Sequence, residues 1–155
     1  VMADRLRMSF SEARKQVNLH QLLDRAGPPG ALWAELSAPG VFMAFWYGAL
    51  YVVMEGYRDL KLEDPELNDL LRSQNVDYLR LFRNGTFHFQ RDPFSQKRVH
   101  FMQSEDSVQW VQQVHHRLGE FILGLVIEKI PPESKEIFMA SLTEITAWIE
   151  EPASK

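Results

Sequence analysis

Val76-Asp77-Tyr78-Leu79-Arg80-Leu81-Phe82-Arg83-Asn84-Gly85-Thr86-Phe87-His88-Phe89 is the stretch on which the reading of this chain turns. At about 100° per residue, Tyr78, Leu81, Phe82, Gly85 and Phe89 fall on one arc, the apolar stripe that an amphipathic helix turns toward a core. Asp77, Asn84 and His88 form a second stripe, with Arg80 near it and Arg83 further round. Asn84 and His88 are four apart and neighbours on the helix surface. Arg83 is close to His88 in height but diverges in direction. The two converge on one ligand only if it lies across the helix or if a second copy of the chain faces it. A core helix has no need of a guanidinium, an amide and an imidazole together, so the segment is the candidate site. Gly85 lies on the apolar arc, although glycine inside a helix costs about 1 kcal/mol relative to alanine. Close helix approach or helix termination accounts for it, and so does a thin spot that admits a backbone or a phosphate beside Arg83 and His88.

Outward from this segment the chain reads as helices. The first runs from about Asp4 to Asp24, with Leu6, Phe10, Val17 and Leu22 at helical spacing, and stops before Gly27-Pro28-Pro29-Gly30. A short piece over Ala31 to Leu36 and a turn at Ser37-Ala38-Pro39-Gly40 follow. The second main helix, Val41 to about Leu60, is apolar nearly all round and belongs at the centre. Asp64-Pro65-Glu66 opens a short helix through Leu71. The motif helix starts at about Asn75, a residue suited to an N-cap, and reaches His88 or just beyond. The stretch from Arg91 to Arg98 is a loop; alternatively Thr86–Gln90 and Arg98–Met102 pair as a β-hairpin, which would set His88 near His100. Ser104 caps a long helix whose seam is Val108, Val111, His115, Leu118, Ile122 and Leu125. After Pro131-Pro132 a last helix runs to about Ile149, with Ile137, Phe138, Leu142, Ile145 and Trp148 as its core face. The expectation is an all-α fold, a helical bundle of four to five main helices forming a single domain over residues 1–155.

Composition narrows the chemistry. The 155 residues are 45% hydrophobic, with ten Phe and four Trp, enough for one core. The absence of cysteine excludes disulfides, thiolate metal sites and a cysteine nucleophile. There is no His-Glu-x-x-His helix, no glycine-rich phosphate loop and no nucleophile elbow around Ser73, Ser95 or Ser104. His115 and His116 point about 100° apart, so neither a metal nor another cofactor is expected. The apolar run from Ala38 to Met54 contains Pro39, Gly40 and Gly48 and ends at Glu55; it falls slightly short of a membrane span and reads as a buried helix. With no signal peptide visible, the expectation is a cytoplasmic protein without membrane association. The net charge is −4, but residues 72–100 hold six Lys and Arg against two acids. A basic excess at the motif inside an acidic chain suits a phosphate-facing cleft, and equally a solvated loop.

Two further groups are candidates for support. His115 sits at an apolar seam position, where a histidine hydrogen-bonded to a neighbour is the ordinary arrangement. Glu55, in an aromatic neighbourhood of Trp46, Tyr47, Tyr51 and Tyr57, either takes Arg83 or Arg58 as its cation or faces solvent.

Arg83-Asn84-x-x-x-His88 resembles the signature of the HEPN superfamily (higher eukaryotes and prokaryotes nucleotide-binding domains). The resemblance implies a small helical bundle, usually dimeric, with an arginine, a following polar residue and a histidine on a late helix. In active members these line a cleft between two protomers and cleave RNA without metal; in many relatives catalysis is lost. Carried over by position, Arg83, Asn84 and His88 are the catalytic candidates of a metal-independent endoribonuclease or RNA-binding protein. Arg80, Lys97 and Arg98 would attract the polyanion. Expected partners are a second copy of the chain, RNA, and a protein partner such as a cognate antitoxin. The rival reading is a non-catalytic dimerisation or partner-binding module in which the same residues form a structural network. A third is a small-ligand binder using the aromatic second helix.

Overall fold

The computed structural model describes residues 2–16, 37–88, 101 and 106–150, with side chains described as far as Thr143. These residues form an all-α helical bundle protein with six helices: α1 (Met2–Gln16), α2 (Ala38–Asp59), α3 (Pro65–Leu70), α4 (Asn75–Phe87), α5 (Ser107–Lys129) and α6 (Pro132–Glu150). No strand occurs among the described residues. Thr86 and Phe87 end a helix and Phe101 is helical, while residues 89–100, with the loop and the rest of the alternative hairpin, lie outside the described residues. So do Val17 to Leu36 and Ser104. The chain divides into two compact units, Val1–Leu118 and Gly119–Lys155, with the boundary inside α5.

In the first unit α2 is central, and α1 and α4 both pack on it. Pro39 and Gly40 are not a turn, as the sequence suggests, but the first turn of α2. Ser37 caps the helix by accepting from Gly40 N at 3.3 Å, and proline is tolerated where the backbone has no intrahelical acceptor to lose. The other end of α2 closes in a paired wrap, Lys61 N to Arg58 O (3.0 Å) and Leu62 N to Tyr57 O (3.1 Å). This arrangement favours glycine at the left-handed position, yet Lys61 occupies it with φ of 51°. By length and composition α2 is long and apolar enough to cross a membrane; here Trp46, Tyr47, Leu50, Tyr51, Met54 and Tyr57 are buried.

Asp64 caps α3 through Leu67 N at 2.9 Å, with Pro65 in its first turn. The carbonyls left open at the other end of this short helix are taken by Trp110 Nε1 on Leu70 O (2.9 Å) and by Arg58 on Leu71 O (2.8 Å). Asp64 also receives the Arg117 guanidinium through two hydrogen bonds, at 3.1 and 2.6 Å. These bonds and the capping hydrogen bond hold its carboxyl below the usual range. Tyr57 Oη, which donates to Asn68 Oδ1 (2.9 Å) and accepts from Asp64 N (2.7 Å), completes a network that fixes α2, α3 and α5 together. Around it the rings of Trp46, Tyr47, Phe82, Phe101 and Trp110 run in succession with centroids 5.1 to 6.4 Å apart. Burial pushes the Tyr47 hydroxyl up to about 12.

Three faces differ from the sequence expectation. In α4 the buried residues are Asn75, Val76, Leu79, Phe82 and Gly85, so the core stripe is turned roughly 60° from the Tyr78–Leu81–Phe89 arc. Leu79 is fully enclosed, whereas Leu81 is half-buried. Asn75 is the first helical residue, not the cap; its N–H donates to Ser73 Oγ at 3.2 Å. In α5 the buried seam is Ser107, Trp110, Val111, Val114 and Leu118, while Val108 and Ile122 are exposed. In α6 Ile137 is exposed and Phe138 and Leu142 are half-buried; Ile145 and Trp148 lie beyond the described side chains. Within the second unit, no described residue from Gly119 to Thr143 is buried.

Candidate functional site

Arg83 and Asn84 sit on the penultimate turn of α4. Rotation of the core stripe toward Leu79 brings Arg83 to the flank of the buried face, where its guanidinium carbon stands 5.9 Å from the centre of the Tyr51 ring on α2. Arg83 Nη1 donates to Asn84 Oδ1 at 3.0 Å. The cation is therefore held by a ring beneath it and an amide beside it, with part of its surface open. The Tyr51 ring is buried, and burial raises its hydroxyl pKa. Glu55 adds to that rise, and Arg80, Arg58 and Arg83 oppose it. Tyr51 thus stays a neutral phenol among three arginines drawn from α2 and α4. Glu55 itself is exposed, the solvent-facing outcome of its three alternatives. Arg80 is half exposed and pairs with Asp77 at 3.4 Å.

His88 does not continue the helix. Its N–H still donates to Asn84 O at 3.1 Å, but its backbone is extended (φ −114°, ψ 144°) and it forms the C-cap of α4. The side chain is exposed where the chain leaves the helix. About five residues of rise, roughly 7 Å, and a large rotation separate its Cα from that of Arg83, so one chain presents the two groups on different sides of the helix end. Lys97 and Arg98 lie outside the described residues.

Gly85 is buried and inside α4, so it does not terminate the helix. The close approach seen on the neighbouring helix is at Gly48, where a β-carbon would run into the Phe87 ring. Phe87 in turn meets Phe45 edge-on at 5.6 Å, and both rings are exposed. The sequence offers a signal for this seat, a glycine inside an apolar helix, but not its occupant.

His115 is remote in role from the motif. Its Nδ1 accepts from Trp46 Nε1 at 3.1 Å, and because an indole N–H only donates, its Nε2 carries the proton and donates to Asp4 Oδ1 at 2.8 Å. The imidazole ties α5 to α1 and α2. An open groove of about 590 Å³ lies elsewhere, lined by Glu66, Asp69, Leu70, Arg72, Ser73 and Trp110, and holds none of the motif residues. Among the described residues no group of three or more His, Asp or Glu side chains is placed to hold a metal ion. Neither models of known protein families, nor curated proteins, nor solved structures include a match to this chain.

Proposed function

We propose that the chain is a HEPN-like protein that acts on RNA, with Arg83, Asn84 and His88 as the reacting set and two copies of the chain contributing to each site. The observation that carries this reading is the seating of Arg83, braced by Asn84 and Tyr51 with its outer face open, one turn before an exposed histidine. A phosphate oxygen is the ligand such a fixed, planar cation serves best. In the reaction the ribose 2′-oxygen attacks the adjacent phosphorus, the bond to the 5′-oxygen breaks, and a cyclic phosphate is left. One His88 accepts the 2′-hydroxyl proton and a second His88, from the other copy, donates one to the leaving oxygen. Arg83 stabilises the charge that gathers on the non-bridging oxygens. Arg80 supplies sequence-independent attraction.

The test is cleavage of a mixed single-stranded RNA pool. Turnover should persist in a chelator, since base, acid and cation all come from the chain, and should weaken as salt rises. His88→Ala should lower turnover by a factor of about 10² or more while RNA binding is largely kept. Arg83→Ala should damage both. A wild-type protein that leaves the pool uncut, with and without metal, would count against cleavage.

The exposed Phe45 and Phe87 rings beside the motif favour a second reading, a non-catalytic module that binds a protein partner there. In that case Phe87→Ala would abolish partner binding, and His88→Ala would change melting temperature and not turnover.

A further inference from the structure

Tyr51 carries a polar atom that the fold does not use. The residue is only 6% exposed, a depth at which a phenolic oxygen ordinarily has a hydrogen-bond partner. Tyr57, on the same helix and 4% exposed, obeys that rule through Asn68 and Asp64. Among the described residues no hydrogen bond reaches the Tyr51 hydroxyl. The enclosed side-chain polar atom without a partner among them is Arg7 Nε, so the Tyr51 oxygen is not sealed in. It is the end of a buried ring, and it opens to the surface.

Its surroundings are rich in donors. Tyr51, Glu55 and Arg58 follow at spacings of four and three on one face of α2. Arg80 and Arg83, three apart, share a side of α4, the helix packed against it. Each guanidinium is a fork of several N–H donors with no acceptor. Arg83 gives a hydrogen bond to Asn84 Oδ1, Arg58 one to Leu71 O, and Arg80 a long one of 3.4 Å to Asp77. Most of their N–H groups remain uncommitted among the described residues. Glu55 is the acid that acts on the phenol, against three arginines, and it is exposed.

The donor surplus selects the ligand. An acceptor from outside must carry negative charge and enough oxygens to meet a phenol and two guanidiniums from different directions. A carboxylate offers its oxygens in one plane. A phosphoryl group offers them around a tetrahedron, and charge-assisted bonds to it are the strong ones. The phenol suits this role because it is held by its buried ring and is a neutral donor, so it adds a bond without adding charge.

We propose that Tyr51 is a phosphate-binding residue of the motif site, its hydroxyl donating to a non-bridging oxygen of the phosphoryl group that Arg83 and Arg80 hold. The source of that phosphate, an RNA backbone, rests on the RNA reading; the contact itself rests on the side chains of α2 and α4.

Two readouts on the full chain test it. Carbon-13 labelling at tyrosine Cζ gives four signals, and the one lost in Tyr51→Phe belongs to Tyr51. Inorganic phosphate should move that signal, and acetate or chloride at matched ionic strength should not. Arg83→Ala should abolish the response, whereas Arg72→Ala, which removes an exposed arginine paired with Asp69, should keep it. In the second readout, anisotropy of a labelled single-stranded oligoribonucleotide, Tyr51→Phe should bind about tenfold more weakly or worse, the loss expected for one hydrogen bond to a charged group. The variant keeps the ring beneath Arg83 and deletes an oxygen that bonds nothing in the fold, so its melting temperature should match the wild type. A Tyr51 signal that phosphate moves no further than acetate does would overturn the proposal. So would a Tyr51→Phe protein that binds the oligoribonucleotide as tightly as the wild type, or one that melts well below it, since the hydroxyl would then serve the fold. His88-dependent cleavage beside a silent Tyr51 signal would remove this contact and leave the RNA reading standing. A signal that answers to phosphate in a protein that binds no RNA would keep the contact, with a small phosphate ester as its source, and remove the RNA reading.

Discussion

α5 is one helix in two environments. From Ser107 to Leu118 it carries Trp110, Val111, Val114 and Leu118 into the bundle, with His115 and Arg117 each tied to distant groups. From Gly119 to Lys129 its sequence is the more apolar of the two, and nothing there is buried. Burial is therefore not a property of the side chains alone. It requires an opposing surface, and the first half meets groups of α1, α2 and α3. The same contrast separates the two polar clusters. Asp64, Arg117, Tyr57 and Asn68 satisfy each other and hold the fold, whereas Arg83 is braced on two sides and open on the third.

The largest expected effect tests the contrast within the helix. Leu118→Ala, at a buried position, should cost about 3 kcal/mol in a denaturant titration. Ile122→Ala, one turn later at an exposed position, should cost less than about 0.5 kcal/mol. Equal losses would abolish the distinction between the halves.

Arg117→Ala leaves the buried Asp64 carboxylate without its cation. Full burial of such a pair would make the loss 3–5 kcal/mol; with the Arg117 side chain 30% exposed, about 2 kcal/mol is expected. Arg83→Ala, in the open cluster, should move the melting temperature much less than Arg117→Ala does.

Gly124→Ala sharpens the comparison from the other side. A β-carbon there meets nothing within 4 Å, so it should stabilise α5 by up to about 1 kcal/mol, seen as a gain in helicity and melting temperature.

Smaller still is a pH effect confined to the buried half. Burial lowers the pKa of His115 from 6.5, with Asp4 working against the shift and the Arg7 charge adding to it. The unfolded chain then binds more protons than the folded one just below that value. Stability is thus full above pH 6.5 and falls as the pH drops from there through the folded-state value. The melting temperature of the wild type should decline between neutral pH and about 5, and His115→Gln should flatten that decline. A wild-type profile without slope in this window would show that His115 is not held neutral by the fold.

How far the chain was legible depends on the reach of each interaction. The short helix opened by Asp64-Pro65-Glu66 lies where its residues indicate, because capping acts within three or four residues. Pro39 was misplaced into a turn, since proline suits a turn and a first helical turn equally well. The motif stripe was turned because Leu81 and Leu79 are equally apolar, and which of them faces inward is decided by the packing of α4 on α2, which no pattern within α4 encodes. The candidate residues Arg83, Asn84 and His88 were readable as a group; that Arg83 would rest on Tyr51 and His88 would leave the helix was not.

The sequence by itself determined that this protein is helical, where most helices begin and end, that cysteine chemistry is absent, and that a cation, an amide and an imidazole share one segment. These follow from i to i+4 bonding, capping and composition, all local in the chain. The tertiary structure alone decided which faces are covered. Contacts such as Trp46 to His115, 69 residues apart, and Arg83 to Tyr51 join surfaces that no local pattern encodes.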